Sequence, residues 1–270
     1  MPILNKDMPL CISLAGRPSN IGTRFHNYLY DELGLNFIYK AFTTDDLAGA
    51  IAGVRALGIR GCSVSMPFKE AVMDLVDEVA ESAAMIESVN TVVNDGGYLR
   101  ASNTDVEAVA SLIGSHRLDS ASSVVVQGSG GMAKAVVAAF KSAGFEDLTV
   151  AARNETAGRG LAQKYGYRYA GVPVPGAQIV VNVTPLGMRG EQADVQAFGD
   201  DVITAADVVF DVVAFPAETP LITAARAADK HVITGAEVIA LQAAAQFEKY
   251  TGVAVSADQV QRASEFSRAE

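Results

Sequence analysis

The residues best suited to acid–base chemistry in this chain stand near strand ends. In GCSVSMPFKEAV, residues 61–72, a short run with strand character leads into Met66-Pro67 and then Lys69. The pattern predicts a strand over 60–65 and a helix from Pro67, because proline suits a first helical turn, where its missing N–H is not needed. Lys69 then falls in that turn, where the positive end of the helix dipole opposes a cation. A residue that breaks a local rule in this way is either a solvated surface lysine or a functional one. Helix N-terminal placement and partial burial would both disfavour its ammonium form and make it a better base, while a nearby carboxylate would act the other way. ESVNTVV and ASNTDVEA put Asn90 and Asp105 on the two sides of a hairpin that turns at Asp95-Gly96-Gly97. Asn and Asp beside a hairpin ordinarily serve turn chemistry. Converging with a lysine, they make a set that can bind a hydroxyl and take its proton, Asn as donor and acceptor, Asp as a negative acceptor.

A second group of residues handles phosphate. VVVQGSGGMAKA sets Gly128, Gly130 and Gly131 directly after an apolar run and before a helical pattern. Gly128 permits a tight turn, Gly130 lets a pyrophosphate approach the backbone, and Ala133 is small enough for close helix–strand packing. The phosphates would rest on the helix N-terminus. Roughly 20 residues on, an NAD site carries Asp or Glu for the ribose hydroxyl. Here the strand LTVAAR ends in Arg153-Asn154, which suits a 2′-phosphate and points to NADP, with Glu155 the one opposing charge.

The elements that must hold these groups alternate. Helical spacing appears over 25–33 and 45–58, and strands over 36–42 and 60–65. From Ser123 the rhythm becomes apolar strand, glycine turn and helix, repeated through DLTVAAR, AQIVVNV, DVVFDVV and HVIT, with helices at 157–165 and from Thr219. Uniformly apolar strands between helices imply a parallel sheet covered on both faces. The expected fold is α/β with two domains: residues 1–105 and 236–270 as an α/β substrate domain, and 106–235 as a Rossmann-type dinucleotide-binding domain. Two C-terminal helices have no strand to join.

Half of the 270 residues are hydrophobic and 19% charged, enough for a sizeable core, and the formal net charge of −10 argues against a nucleic-acid partner. No membrane span is visible; even Ala170–Met188, a long uncharged stretch, is broken by Pro and Gly. Two cysteines make no disulfide framework, and no signal segment is visible, so a cytoplasmic setting is expected. His26, His116 and His231 are far apart in sequence with no ligand spacing, and no metal is expected. A small-molecule substrate and a monomer or homodimer complete the expectation.

SVSMPFKE, ESVNTVV, SNTD, GSGGMAKA, NVTPLGM, DVVAFPAETPLI and GAEVIALQAAAQFE follow one another in the order and spacing of shikimate dehydrogenases, so nearly the whole chain resembles that family. The resemblance implies Lys69 and Asp105 as the catalytic pair, and Ser65, Asn90 and Gln242 as substrate contacts. It implies cofactor contacts from Gly128, Ser129, Gly130, Gly131, Met132, Ala133, Arg153, Asn154, Thr184, Leu186, Met188, Val213, Gly235 and Val238. The chain also departs from the family. The Ser-x-Ser pair that holds the substrate carboxylate is replaced within GRPSNIGTRFHN, where Asn20 and Gly22 take the serine positions and Ser19 and Thr23 lie nearby. Ala214 replaces a tyrosine, and Val238 replaces the methionine usual beside nicotinamide. The pattern is that of the divergent shikimate-dehydrogenase-like subgroup, with the chemistry kept and the acid grip altered. Three activities follow as expectations: interconversion of shikimate and 3-dehydroshikimate, the same reaction on quinate or another cyclic polyol carboxylate, or a catalytically weak NADP-binding regulator.

Overall fold

A computed structural model describes residues 4–269. The chain divides into two compact units, one running up to Thr104 and resuming at Ala240, the other spanning Asp105–Ile239. The first unit contains β1 (Leu10–Leu14), α1 (Ile21–Glu32), β2 (Ile38–Phe42), α2 (Leu47–Ala56), β3 (Gly61–Val64), β4 (Glu78–Val79), α3 (Glu81–Ala84), β5 (Thr91–Asp95) and β6 (Tyr98–Ser102). Its sheet order is β2-β1-β3-β5-β6-β4. β1 is parallel to β2 and β3, while β5 runs antiparallel to β3 and to β6. The β5–β6 hairpin turns where expected, with Gly96 and Gly97 at positive φ. One face of the sheet is packed by Ile12, Val64, Val92 and Leu99 with Ile51 and Val54 of α2. The other carries Cys11 and Tyr39 against Phe25, Leu29 and Tyr30 of α1 and against Phe247 and Tyr250.

One helix is missing. Ser65–Phe68 form a turn, closed at 3.0 Å by the Phe68 N–H on the Ser65 carbonyl, with the Met66–Pro67 peptide cis. Only a short 3₁₀ segment follows, Ala71–Leu75. The Lys69 carbonyl accepts from the Val89 N–H at 2.8 Å, so it is tied to a distant strand entrance and not to a helical ladder. Lys69 therefore sits in a turn, and the expected helix N-terminus with its dipole is not formed at this position.

α4 (Thr104–Ser115) leads into the second unit, which contains β7 (Val124–Gln127), α5 (Gly131–Ser142), β8 (Leu148–Ala151), α6 (Glu155–Tyr165), β9 (Arg168–Ala170), β10 (Ile179–Asn182), α7 (Asp200–Ala205), β11 (Val208–Asp211), α8 (Pro220–Ala227) and β12 (His231–Ile233). All its strand pairs are parallel. The order β12-β11-β10-β7-β8-β9 places the first strand of the unit at the centre, next to the fourth. That is the doubly wound order, in which ligands bind beyond the carboxyl ends of the strands where the winding reverses. The strands are almost wholly buried, as their apolar runs require. α9 (Gly235–Thr251) and α10 (Ala257–Arg268) close the chain. α10 lies on α1, where Arg262 reaches Glu32 at 2.7 Å and Arg24 stacks over Phe266 at 4.8 Å.

Candidate active site

In the second unit the turn from β7 into α5 is built as the glycines require. Gly128 has φ +130°, and a Cβ there would lie 2.7 Å from Val183 Cγ2 and 3.3 Å from the Val183 carbonyl carbon, so only glycine fits. A Cβ on Gly130 or Gly131 would meet nothing within 4 Å. The N-cap, Gly130, offers no side-chain cap, which leaves the first-turn N–H groups of α5 for an anion. Ala133 is fully buried, in the packing role expected of it, and Met132 is half-buried.

A cleft of about 590 Å³ opens beside this turn. Gly128 and Ser129 line it after β7, Arg153 and Asn154 after β8, and Thr184 and Leu186 after β10. Arg153 is exposed at its rim. The opposing charge of Glu155 is engaged by Arg159 at 2.7 Å, and among the described residues Arg153 has no ion-pair partner. Asn154 accepts from the Ala157 N–H at 3.1 Å and so caps α6. The open glycine turn, the uncapped helix end and the unpaired cation fit a phosphate-bearing dinucleotide.

The remaining expected cofactor residues are placed differently. Met188 is exposed and is not part of the cleft lining, and Val213, Gly235 and Val238 gather at the start of α9. A Cβ on Gly235 would fall 2.3 Å from the Val213 carbonyl carbon and oxygen, so that helix begins hard against the strand exit. Behind both groups lies a polar network that the sequence motifs do not mark. Buried Asp211 accepts from Asn182 Nδ2 at 3.0 Å, from the Val213 N–H at 3.0 Å and from Thr219 Oγ1 at 2.6 Å. Asn182 in turn binds Thr184 through the backbone N–H and the hydroxyl. Burial pushes the Asp211 carboxyl above the usual carboxylate range, against the pull of its donors. The signal for this network was an Asp ending a wholly apolar strand.

In the first unit the expected substrate residues share one edge of the sheet. Ser65 follows β3, and its N–H reaches the Leu14 carbonyl at the end of β1. The loop after β1 joins the same edge through the Gly16 N–H on the Met66 carbonyl at 2.9 Å. Asn90 stands at the entrance to β5, with its carbonyl accepting from Val64 N–H at 2.8 Å. Lys69 is tied through its own carbonyl to Val89, the residue before Asn90. The Asn90 side chain accepts from the Thr104 N–H at 2.8 Å, and buried Asp105 follows Thr104 in the chain. Gln242 is half-buried on α9, one turn before Gln246, which donates to the Asn90 carbonyl at 3.3 Å. Ser19 and Asn20 are exposed. Asn20 is the N-cap of α1 but its side chain makes no cap bond, and Thr23 Oγ1 is buried without a partner.

His116 and His231, remote in sequence, meet in the second unit. Their Nδ1 and Nε2 are 2.8 Å apart, and His116 Nε2 lies 3.2 Å from Glu237 Oε1. Among the described residues no group of three His, Cys, Asp or Glu could hold a metal ion, and no helix is long and apolar enough to cross a membrane.

A doubly wound sheet with an open glycine turn, joined in one chain to a second α/β unit with a polar sheet edge, defines a two-domain dinucleotide-binding class of α/β proteins. Residues 20–92 match the family model of the shikimate dehydrogenase substrate binding domain. Over 268 residues, covering 98% of this chain and 99% of its relative, the chain is 57% identical to a shikimate dehydrogenase-like protein of Haemophilus influenzae. Among solved structures, it resembles shikimate 5-dehydrogenase of Thermus thermophilus in complex with NADP(H) and shikimate, with a TM-score of 0.87, 27% identity and coverage of 96% of this chain and 100% of that one. It also resembles quinate dehydrogenase of Corynebacterium glutamicum in complex with NAD, with a TM-score of 0.82, 28% identity and coverage of 96% and 98%. The chain belongs to the shikimate dehydrogenase family.

Proposed function

We propose that this protein is an NADP-dependent dehydrogenase that interconverts shikimate and 3-dehydroshikimate, or a close cyclic hydroxy acid. The observation that carries the reading is the backbone bonding that sets Lys69 beside the strand entrance holding Asn90, and Asn90 against the residue preceding Asp105. In that arrangement Lys69 and Asp105 take the carbinol proton as the C–H electron pair leaves with its hydrogen as hydride. Bound NADP supplies the nicotinamide carbon that accepts or returns that hydride. Asn90 donates to the reacting oxygen, Ser65 and Gln242 orient the ring hydroxyls, and Ser19, Asn20 and Thr23 face the acid. In the second unit Gly128, Ser129, Gly130 and Gly131 with Met132 and Ala133 form the phosphate turn. Arg153 and Asn154 take the 2′-phosphate, and Thr184, Leu186, Met188, Val213, Gly235 and Val238 shape the nicotinamide side. Residues up to 105 and from 236 serve the substrate, and those from 106 to 235 serve the cofactor.

A second reading, quinate or another cyclic polyol carboxylate as substrate, draws support from the altered acid grip, since Asn20 and Gly22 supply no hydroxyl where the family carries serines. The experiment is NADPH formation from NADP⁺ with shikimate and with quinate, for the native protein and Lys69→Ala. The variant is expected to bind NADPH as the native protein does and to turn over neither acid. Turnover by Lys69→Ala refutes the assignment of the base. NADPH binding by the native protein with no turnover of any cyclic polyol acid favours a regulatory protein instead.

A further inference from the structure

A line of polar groups, buried except for half-buried Ser63, runs through the core of the first unit. Tyr39 Oη donates to Ser63 Oγ at 2.7 Å, and Tyr250 Oη lies 3.0 Å from the same oxygen. Ser63 Oγ donates to Gln246 Oε1 at 2.8 Å. Gln246 Nε2 donates to Thr91 Oγ1 at 3.1 Å, and Thr91 Oγ1 donates to Asn90 Oδ1 at 2.7 Å.

Two backbone groups fix the direction of every proton in this line. The Asn90 carbonyl can only accept, so the group of Gln246 facing it at 3.3 Å must be the amide nitrogen. That leaves Gln246 Oε1 to accept from Ser63, whose oxygen then accepts from the two tyrosines. Burial pushes both phenols far above their ordinary range, so each keeps the proton it donates. At the other end the Thr104 N–H can only donate, so the atom of Asn90 facing it at 2.8 Å must be Oδ1. A flipped amide would set two donors against each other. Oδ1 already takes Thr91, the Thr104 N–H and a longer contact from Thr104 Oγ1 at 3.2 Å. One Nδ2 hydrogen goes to Thr104 Oγ1 at 3.0 Å, and the other has no partner among the described residues.

We propose that Gln246 and Thr91 are positioning residues that, together with the Thr104 N–H, lock the Asn90 amide as a one-way donor to the substrate oxygen, a reading that rests on the function proposed above. Asn90 cannot then accept the substrate hydroxyl's proton. The hydroxyl must accept from Asn90 and aim its own proton elsewhere, which selects the geometry for deprotonation. Because Asn90, Thr91 and Gln246 are at most 4% exposed, water does not replace a lost link at no cost.

The test uses the full-length chain with Thr91→Val, which keeps the shape, Thr91→Ser, which keeps the hydroxyl, and Gln246→Met, which removes the donor to Thr91. The first readout is hydrogen exchange of the Asn90 side-chain NH₂ pair by NMR, identified by its loss in Asn90→Ala. Exchange is expected to stay slow in the native protein and in Thr91→Ser, and to quicken in Thr91→Val and Gln246→Met. Unchanged exchange in both overturns the proposal whether or not the protein turns over any acid. The second readout is kcat/KM for the better of shikimate and quinate. Thr91→Val is expected to lower it on the order of tenfold, the worth of about one hydrogen bond, with Thr91→Ser restoring it. In an Asn90→Ala background the Thr91→Val loss is expected to vanish, and an equal loss there overturns the proposal. Altered exchange with no turnover by the native protein leaves the lock standing and refutes the activity instead.

Discussion

Acid is expected to destabilise this protein through one buried ring, His26. It is fully buried and stacks on Tyr39 with ring centroids 4.3 Å apart. Its Nδ1 lies 2.9 Å from the Gly22 carbonyl, which can only accept, so Nδ1 carries the proton and Nε2 a lone pair. Nε2 is buried without a partner. A second proton would place an unpaired charge among aromatic rings, and burial accordingly pushes the pKa down to about 4. Unfolded, the same ring titrates near 6.5. Above about pH 6.5 both states are neutral and nothing is lost. Below it the unfolded chain takes up a proton that the folded one refuses, so stability falls as pH drops towards the folded value. A gap of about 2.5 units corresponds to on the order of 3 kcal/mol, against a typical total of roughly 5–15 kcal/mol. The assay is urea unfolding of the native chain and of His26→Phe, followed by circular dichroism between about pH 7 and pH 4.5. The variant keeps the stack and loses the Nδ1 bond at every pH, so it differs by a constant offset apart from the proton. The native chain is expected to lose about 2–3 kcal/mol more than the variant across that interval. Parallel stability curves would show that folded His26 takes up its proton as readily as the unfolded ring does.

Other perturbations address the site. Arg153→Ala should weaken NADPH binding about 10- to 100-fold while leaving NADH binding nearly unchanged, as fluorescence titration of the two cofactors would reveal. Gly128→Ala forces an L residue to φ +130° with its Cβ 2.7 Å from Val183 Cγ2; a loss of about 1–3 kcal/mol in thermal unfolding and at least tenfold weaker NADPH binding are expected, and an unchanged Tm would contradict the close approach. Restoring the serines with Asn20→Ser and Gly22→Ser should lower the KM for shikimate about tenfold, since a Cβ at Gly22 would meet nothing nearer than Tyr39 Oη at 3.6 Å.

Legibility in the sequence followed the range of the interactions. The Gly128 turn could be read because strand, turn and helix lie within a few residues and each glycine answers a local need. The β5–β6 hairpin was legible for the same reason. The segment after β3 misled because its fate is set by a bond to Val89, twenty residues from Lys69, which no local pattern records. The Ser63–Gln246 link spans 183 positions and the His116–His231 contact 115. Spacing within one element cannot report either. Gln246 did leave a trace, being an amide on the same face of α9 as Phe247 and Tyr250, where a core residue is otherwise apolar. Residue type gives Asn90 both a donor and an acceptor, and the Thr104 N–H and the Thr91 hydroxyl, met only in the fold, commit its oxygen.

The same directional protons bear on how the acid end of a substrate is held. A Cβ at Gly22 would lie 3.6 Å from Tyr39 Oη, so the Tyr39 hydroxyl stands beside the position where the family carries a serine. It cannot stand in for that serine. Its single proton goes to Ser63, whose own proton is spent on Gln246, and turning Tyr39 toward a carboxylate would unmake a connected line of core bonds. On the proposed function, the donors left to the carboxylate are Ser19, Asn20 and the unpartnered Thr23 hydroxyl, two of them exposed and competing with water. The acid end is therefore held weakly, while the hydroxyl end meets an amide locked by the core. Discrimination among cyclic hydroxy acids then falls on where the reacting hydroxyl sits on the ring, and an epimer inverted at that carbon should lose more in kcat/KM than an analogue lacking the carboxylate.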